Sequence, residues 1–314
     1  MRSMLAIAIV LALQAASPAA DRRMAITIDD LPGVGSHALA DLQEMNRRIL
    51  AALGAAHAPA IGFVNEERLQ VDGERDARTA ILRSWLEAGM TLGNHTYRHR
   101  DLNSISLTEY EDDILRGEVL TRSLLDRLHR PLVYFRHPFT HTGPTAEIKQ
   151  DLERFLASHG YKIAPFTIEY ADFAFAAVFD DAVARNDTAA AAKVRAAYLA
   201  YLDRMCGWFE QLAVDTFGHA VPQILLTHVN RLNGDAMPAV LALLRKRGYA
   251  FITLDEALAD DAYRTRDDYV GRTGPSWLHR WRVTRKLPSR LRDDPDLPPD
   301  MAAAYRAHTQ ARRQ

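Results

Sequence analysis

Apolar and polar positions fall in alternating blocks along the chain. The strings MAITI (24–28), AIGFV (60–64), TLGNH (91–95), LVYFRHP (132–138), YKIAPFTI (161–168), QILLTHV (223–229) and YAFITL (249–254) are short and mostly apolar, and they predict strands. Between them, residues 38–57, 77–90, 107–129, 146–160 and 237–248 carry apolar side chains at helical spacing. The 107–129 stretch predicts one long helix with its start capped at Ser106 or Thr108. An Ala-rich stretch, 187–218, predicts another. Strand–helix alternation of this kind predicts an α/β fold, a parallel sheet covered by helices and either open or closed into a barrel. The six or seven units favour the barrel. In both architectures chemistry gathers where strands end, so the strand ends are where candidate residues belong.

Four of those ends are chemically loaded. The first closes on Asp29 and Asp30, followed by Leu-Pro-Gly. Neighbouring strand residues point to opposite faces, so both carboxylates serve one pocket only where the strand turns away, and Leu31-Pro32-Gly33 supplies that turn. The third strand closes on His95-Thr-Tyr-Arg-His99, whose i, i+4 spacing puts both imidazoles on one side of a helical turn. His137 and His141 repeat the spacing, but Pro138 between them disfavours helix and His141 lies in a Thr/Gly loop. His95 and His99 are therefore the preferred metal ligands, and His141 is assigned to the rim. The fourth strand ends near Arg136 and a later one at His228. A buried arginine compensates carboxylates in many proteins, and a lone histidine after an apolar run is usually a core residue; their combination at successive strand ends points to a site.

These motifs, in this order, resemble those of the polysaccharide deacetylase family, also called the NodB-homology domain or carbohydrate esterase family four. TIDD resembles its Thr-Phe-Asp-Asp-Gly motif, HTYRH its His-Ser/Thr-x-x-His, RHPF its Arg-x-Pro-Tyr/Phe, and LTH its Leu-x-His, across Ala25 to Leu258. The resemblance implies a distorted (β/α) barrel of about seven units. It implies that Asp30, His95 and His99 bind a divalent metal, with zinc the expected ion, that Asp29 is the general base held by Arg136, and that His228 is the general acid. It also implies an oxyanion and substrate contact at Pro138 and Phe139, with the Phe139 N–H as donor. Removal of an N-acetyl group needs a nucleophile, a sink for oxyanion charge and a proton for the departing amine, and such a set can supply all three. Two departures bear on substrate: Leu31-Pro32 replaces the usual glycine, and the Asp-x-x-Asp-Trp motif is reduced to EYADF, with Glu169, Asp172 and Phe173. From it only Asp172 is carried over, as the orienter of His228.

Composition sharpens where such an enzyme acts. Residues 1–20, with Arg2, an apolar run and a small-residue end near Ala19–Ala20, have the layout of a secretory signal peptide, which predicts a secreted or periplasmic protein with no stable membrane span. Cys206 is the only cysteine, so no intramolecular disulfide is available. A formal net charge of -1 gives no sign of a nucleic-acid partner. The barrel domain is expected over 21–262, followed by an irregular basic, Pro-rich segment over 263–314 that Trp277 and Trp281 strap to it. The 180–218 region is expected to shape substrate access. The expected partner is an acetylated oligo- or polysaccharide. An O-acetyl esterase or another amide hydrolase on the same fold is the nearest alternative. A non-catalytic carbohydrate-binding domain is disfavoured by the presence of both Asp29 and His228.

Overall fold

The computed structural model describes residues 22–34 and 38–312. The stretch expected to be a signal peptide, 1–20, lies outside them. The centre of the fold is β1 (Arg22–Leu31), which takes parallel partners on both sides. The other strands are β2 (Ala60–Val64), β3 (Thr91–Asn94), β4 (Tyr134–Phe135), β5 (Lys162–Ile163), β6 (Gln223–His228) and β7 (Tyr249–Ile252). They form one seven-stranded sheet in the order β5-β4-β3-β2-β1-β6, with β7 paired to the first half of β1. β2 is buried throughout and β6 everywhere but at His228, which is why their sequences read as continuous apolar runs.

The sheet curls until its edges meet. Past β5 the backbone crosses to β6, where Ile168 bridges Leu225 in parallel, Thr167 N–H donates to the Ile224 carbonyl and Leu226 N–H donates to the Ile168 carbonyl. The result is the distorted (β/α) barrel that the motifs imply.

Helices cover its outside: α1 (Leu39–Ala55), α2 (Arg75–Glu87), α3 (Leu107–Arg116), α4 (Val119–Asp126), α5 (Ala146–Ser158), α6 (Asp172–Ala184), α7 (Thr188–Phe217), α8 (Arg231–Lys246), α9 (Leu254–Leu258), α10 (Trp277–Thr284) and α11 (Pro299–Ala311). Three differ from expectation. The single helix over 107–129 is two, α3 and α4, broken at Gly117. A Cβ there would collide with the backbone of Thr96 and Tyr97, and buried Glu66 accepts the first N–H groups of α4, from Leu120 and Thr121, as a cap. Ser106 caps α3, with Glu109 completing a capping box. α6 has no counterpart in the sequence reading, because its apolar residues run round the whole helix and show no periodicity; α7 and α11 pack over it. The segment expected to be irregular contains α10 and α11. Trp277, Leu278 and Trp281 give α10 a buried face, and Ser276 caps it, accepting from Leu278 N–H. Trp281 stands edge-on to Phe217 and Tyr263, at centroid distances of 5.5 and 5.1 Å.

Candidate active site

Asp29 and Asp30 reach one pocket through a bulge rather than through the turn after them. The β1–β2 register shifts between Ile28 and Leu31, and Asp30 itself has φ 71°, in the left-handed region. Asn46 fixes the Leu-Pro turn beyond: its Nδ2 donates to the Pro32 carbonyl at 2.7 Å, and its Oδ1 accepts from Trp85 Nε1 at 2.8 Å. Each carboxylate has its own cation. Arg136, fully buried, lies 3.4 Å from Asp29 Oδ2 and also donates to Thr27 Oγ1 at 3.0 Å. Arg68 lies 3.1 Å from Asp30 Oδ1 and donates to the carbonyls of Asp30 and Gly33, both at 3.0 Å. The two groups respond differently. Burial pushes the Asp29 carboxyl up to about 6 against the pull of Arg136 and His228. Burial acts on Asp30 too, but Arg68, His99 and His95 outweigh it and hold that carboxyl well below the usual range. Asp29 Oδ1 is buried without a hydrogen-bond partner, and Asp30 Oδ1 is engaged only through ion pairs, chiefly with Arg68. A buried carboxylate oxygen left without a hydrogen bond, as at Asp29, calls for a function.

The His95–His99 segment is a loop, not the helical turn that the spacing suggested. Thr96 (φ 63°) and His99 (φ 55°) are left-handed, and local hydrogen bonds take the place of a helix. Asn94 Oδ1 accepts from Thr96 N–H at 2.7 Å, Thr96 Oγ1 accepts from His99 N–H at 3.0 Å, and Asp113 accepts from both Tyr97 and Arg98 N–H at 2.9 Å. The two imidazoles still converge, at a centroid distance of 4.8 Å. His95 Nδ1 lies 2.8 Å from the Arg136 carbonyl, an acceptor only, so Nδ1 carries the proton and Nε2 is left with its lone pair. That Nε2 is 3.8 Å from Asp30 Oδ1, and His99 Nε2 is 3.6 Å from the same oxygen. Burial pushes both imidazoles below their ordinary pKa, toward the neutral form that ligates. One ligand atom from each of Asp30, His95 and His99 lies within 4.8 Å of the others. A buried carboxylate oxygen that makes ion pairs but no hydrogen bond, facing two neutral imidazoles, fits a divalent cation.

Opposite stands His228, on the rung of the β1–β6 ladder beside Asp29. Its Nδ1 is 2.7 Å from Asp172 Oδ1. Asp172 Oδ2 accepts from His228 N–H at 3.0 Å, Thr227 Oγ1 and Asn230 Nδ2 at 3.1 Å, and Asn233 Nδ2 at 2.7 Å. Burial works against charge on both partners, yet each stabilises the other. His228 is pushed up to about 10, and Asp172 is held below the usual carboxylate range. Glu169 turns back to the Ala171 N–H at 2.8 Å, and half-exposed Phe173 places its ring 6.4 Å from His228. Asn233, Asn230 and Arg68 were not singled out from sequence. Each sits outside the motifs, and only the folded chain brings it to its carboxylate.

The fourth strand delivers the remaining groups. After Arg136 the chain makes a tight 3-10 turn over Pro138–Thr140, with Phe139 at φ 55°. Pro138 is buried, while the Phe139 ring is 52% exposed and 4.6 Å from the His99 ring, so it walls the metal-ligand side. The turn's first hydrogen bond runs from Thr140 N–H to the His137 carbonyl, leaving Phe139 N–H ahead of it, outside the turn's own bonding. His137 and His141 do not pair. His137 is buried edge-on to Phe135, whereas His141 sits on the rim, its Nδ1 2.8 Å from Asp101 Oδ1 and its ring stacked on Phe139.

Comparison with known proteins bears on this arrangement. Residues 16–164 match the family model described as polysaccharide deacetylase. None of the curated protein sequences compared matches the chain. Among solved structures, the chain resembles a polysaccharide deacetylase from Bacillus cereus (16% identity, 74% of this chain and 91% of that one, TM-score 0.51). It also resembles the peptidoglycan deacetylase PdaC from Bacillus subtilis (16% identity, 79% and 95%, TM-score 0.50). A CE4 family pseudoenzyme from Bacillus anthracis superposes equally well (15% identity, 76% and 66%, TM-score 0.50). Likeness at this identity establishes the fold; the side chains at the strand ends must carry the chemistry. Fold, motif order and family match agree in likening the chain to the polysaccharide deacetylase family, whose model it matches over residues 16–164.

Proposed function

We propose that the chain is a metal-dependent hydrolase that removes N-acetyl groups from an acetylated oligo- or polysaccharide of the cell envelope or extracellular space. The observation that supports this most is the convergence of Asp30, His95 and His99 beside the free Oδ1 of Asp29, on the rung that also bears His228. Asp30 Oδ1 and the two Nε2 atoms would hold the ion, with zinc expected from the donor set. A cation there supplies Lewis acidity, polarising the acetyl carbonyl and lowering the pKa of water.

The chain's own groups do the rest. Asp29 Oδ1 accepts the proton from the attacking water, and Arg136 keeps that carboxylate oriented through Oδ2. Phe139 N–H donates to the oxyanion. His228, charged over the neutral range, gives its Nε2 proton to the amine nitrogen as the carbon–nitrogen bond breaks, because an expelled amide anion is far too basic to leave unassisted. Asp172 holds His228 by Nδ1, fixing which nitrogen faces the substrate. O-Deacetylation would use the same groups with an easier leaving group.

The deciding experiment measures acetate release from chitooligosaccharides, peptidoglycan fragments and O-acetylated oligosaccharides, with and without chelator. Chelator-sensitive release from the N-acetylated substrates is expected. Release from the O-acetylated set alone would turn the assignment to an esterase, and metal-free protein with no release from any substrate would defeat it. An exported location is part of the proposal, and N-terminal sequencing of secreted or periplasmic protein should find a start near residue 21.

A further inference from the structure

The C-terminal segment, which the mechanism does not use, grips the turn that carries the oxyanion donor. Phe139 (φ 55°) and Thr140 (φ 57°) are consecutive residues in left-handed backbone, a conformation that costs side-chain-bearing residues free energy and persists only where the surroundings impose it. The surroundings are residues 267–280. Fully buried Arg280 donates to the Thr140 carbonyl at 2.7 Å and to Thr142 Oγ1 at 2.8 Å, and lies 3.2 Å from Asp267 Oδ2. Its guanidinium also lies 4.1 Å from the Trp277 ring centroid, so α10 fixes its position. Buried Lys149 of α5 clamps Asp267 from the other side, at 2.7 Å. Thr140 Oγ1 lies 2.7 Å from the Gly274 carbonyl. At Gly274 the strap approaches so closely that a Cβ would overlap Thr140 Oγ1 and the Phe139 carbonyl. The Thr140 carbonyl and hydroxyl are thereby both held from outside the turn, while the Phe139 N–H lies outside the turn's own hydrogen bonds.

We propose that residues 267–280 are a positioning element for the reaction, with Gly274 and Arg280 setting the direction of the Phe139 N–H through Thr140. The inference rests on the deacetylase reading and deepens the role that reading gives to Phe139. A donor displaced by a fraction of its hydrogen-bond length loses its hold on the oxyanion while substrate binding elsewhere in the groove persists, so the effect belongs in kcat.

The test compares Gly274→Ala, Thr140→Val and Thr140→Ser with the unsubstituted enzyme and with Trp208→Phe. The last variant breaks a contact to the same segment farther on, at Asp294, away from the turn. Steady-state deacetylation, thermal midpoint and amide exchange over 137–142 are measured for each. Gly274→Ala and Thr140→Val are expected to lower kcat by about tenfold or more with KM within about twofold, and to speed exchange over 137–142. Thr140→Ser should restore kcat and Trp208→Phe should leave it unchanged. Unchanged kcat in both damaging variants overturns the proposal, as does a loss that Trp208→Phe reproduces at equal thermal shift. An unsubstituted enzyme that releases no acetate overturns the deacetylase reading and this role with it. That is a different result from an active parent whose variants match it.

Discussion

At Asp172 a single buried carboxylate accepts hydrogen bonds from four side chains and one backbone N–H, and this concentration explains the charge state of His228 beside it. The pair makes two predictions. His228→Ala should retain its metal, measured by elemental analysis, while kcat falls by roughly a hundred- to ten-thousandfold. Asp172→Asn should move the alkaline limb of the pH–rate profile down from near 10, because His228 then loses its proton earlier. The same substitution should cost stability in a defined window. A histidine with raised folded pKa contributes stability that is fully present below its ordinary 6.5 and is lost as pH rises through about 10, so the gap in thermal midpoint between the two proteins should narrow across that interval. Residue types at the strand ends were legible from the chain because each closes an apolar run. Arg68 was not. It lies in a polar stretch, NEERLQ, whose pattern gives no sign that one guanidinium folds back onto Asp30.

Elements explain why the motif residues meet even where local expectation failed. The HTYRH spacing suggested helix, yet the ligands converge through a loop, because Asn94 and Asp113 satisfy its backbone and Gly117 lets the break between α3 and α4 press against it. A four-residue spacing limits how far apart two side chains can lie; it does not specify the backbone between them. Strands such as β2 and β6 were readable because burial on both faces leaves continuous apolar runs. The helix break was not, since a glycine inside a helical pattern is usually tolerated and only contact with Thr96 makes it a terminus. Gly117→Val should therefore loosen the metal site without altering a ligand. A fall in zinc affinity of about 10- to 100-fold, measured by competition with a chromogenic chelator, is the expected outcome. Affinity equal to the parent's would show that the loop holds its shape unaided.

Across the whole molecule, stability comes from one continuous apolar core, with Cys206 buried and its thiol pushed up to about 12 by burial, out of reach of redox chemistry. The C-terminal segment belongs to that core through Trp281, so Trp281→Ala should destabilise by about 3–5 kcal/mol, read as a fall in thermal or denaturant midpoint. Among the described residues no helix is long and apolar enough to cross a membrane. The whole-molecule outline was the most readable level, because alternation of element types constrains topology more tightly than it constrains any one turn. Asp29 and His228 are Cα partners on neighbouring strands, so in the proposed mechanism proton uptake and proton delivery would be spaced by backbone pairing and not by loops. On that proposal, loops around the groove could be exchanged to retarget substrate while this spacing is preserved. A one-residue slip between these two strands, by contrast, would turn one of the groups to the opposite face and should abolish the proposed activity.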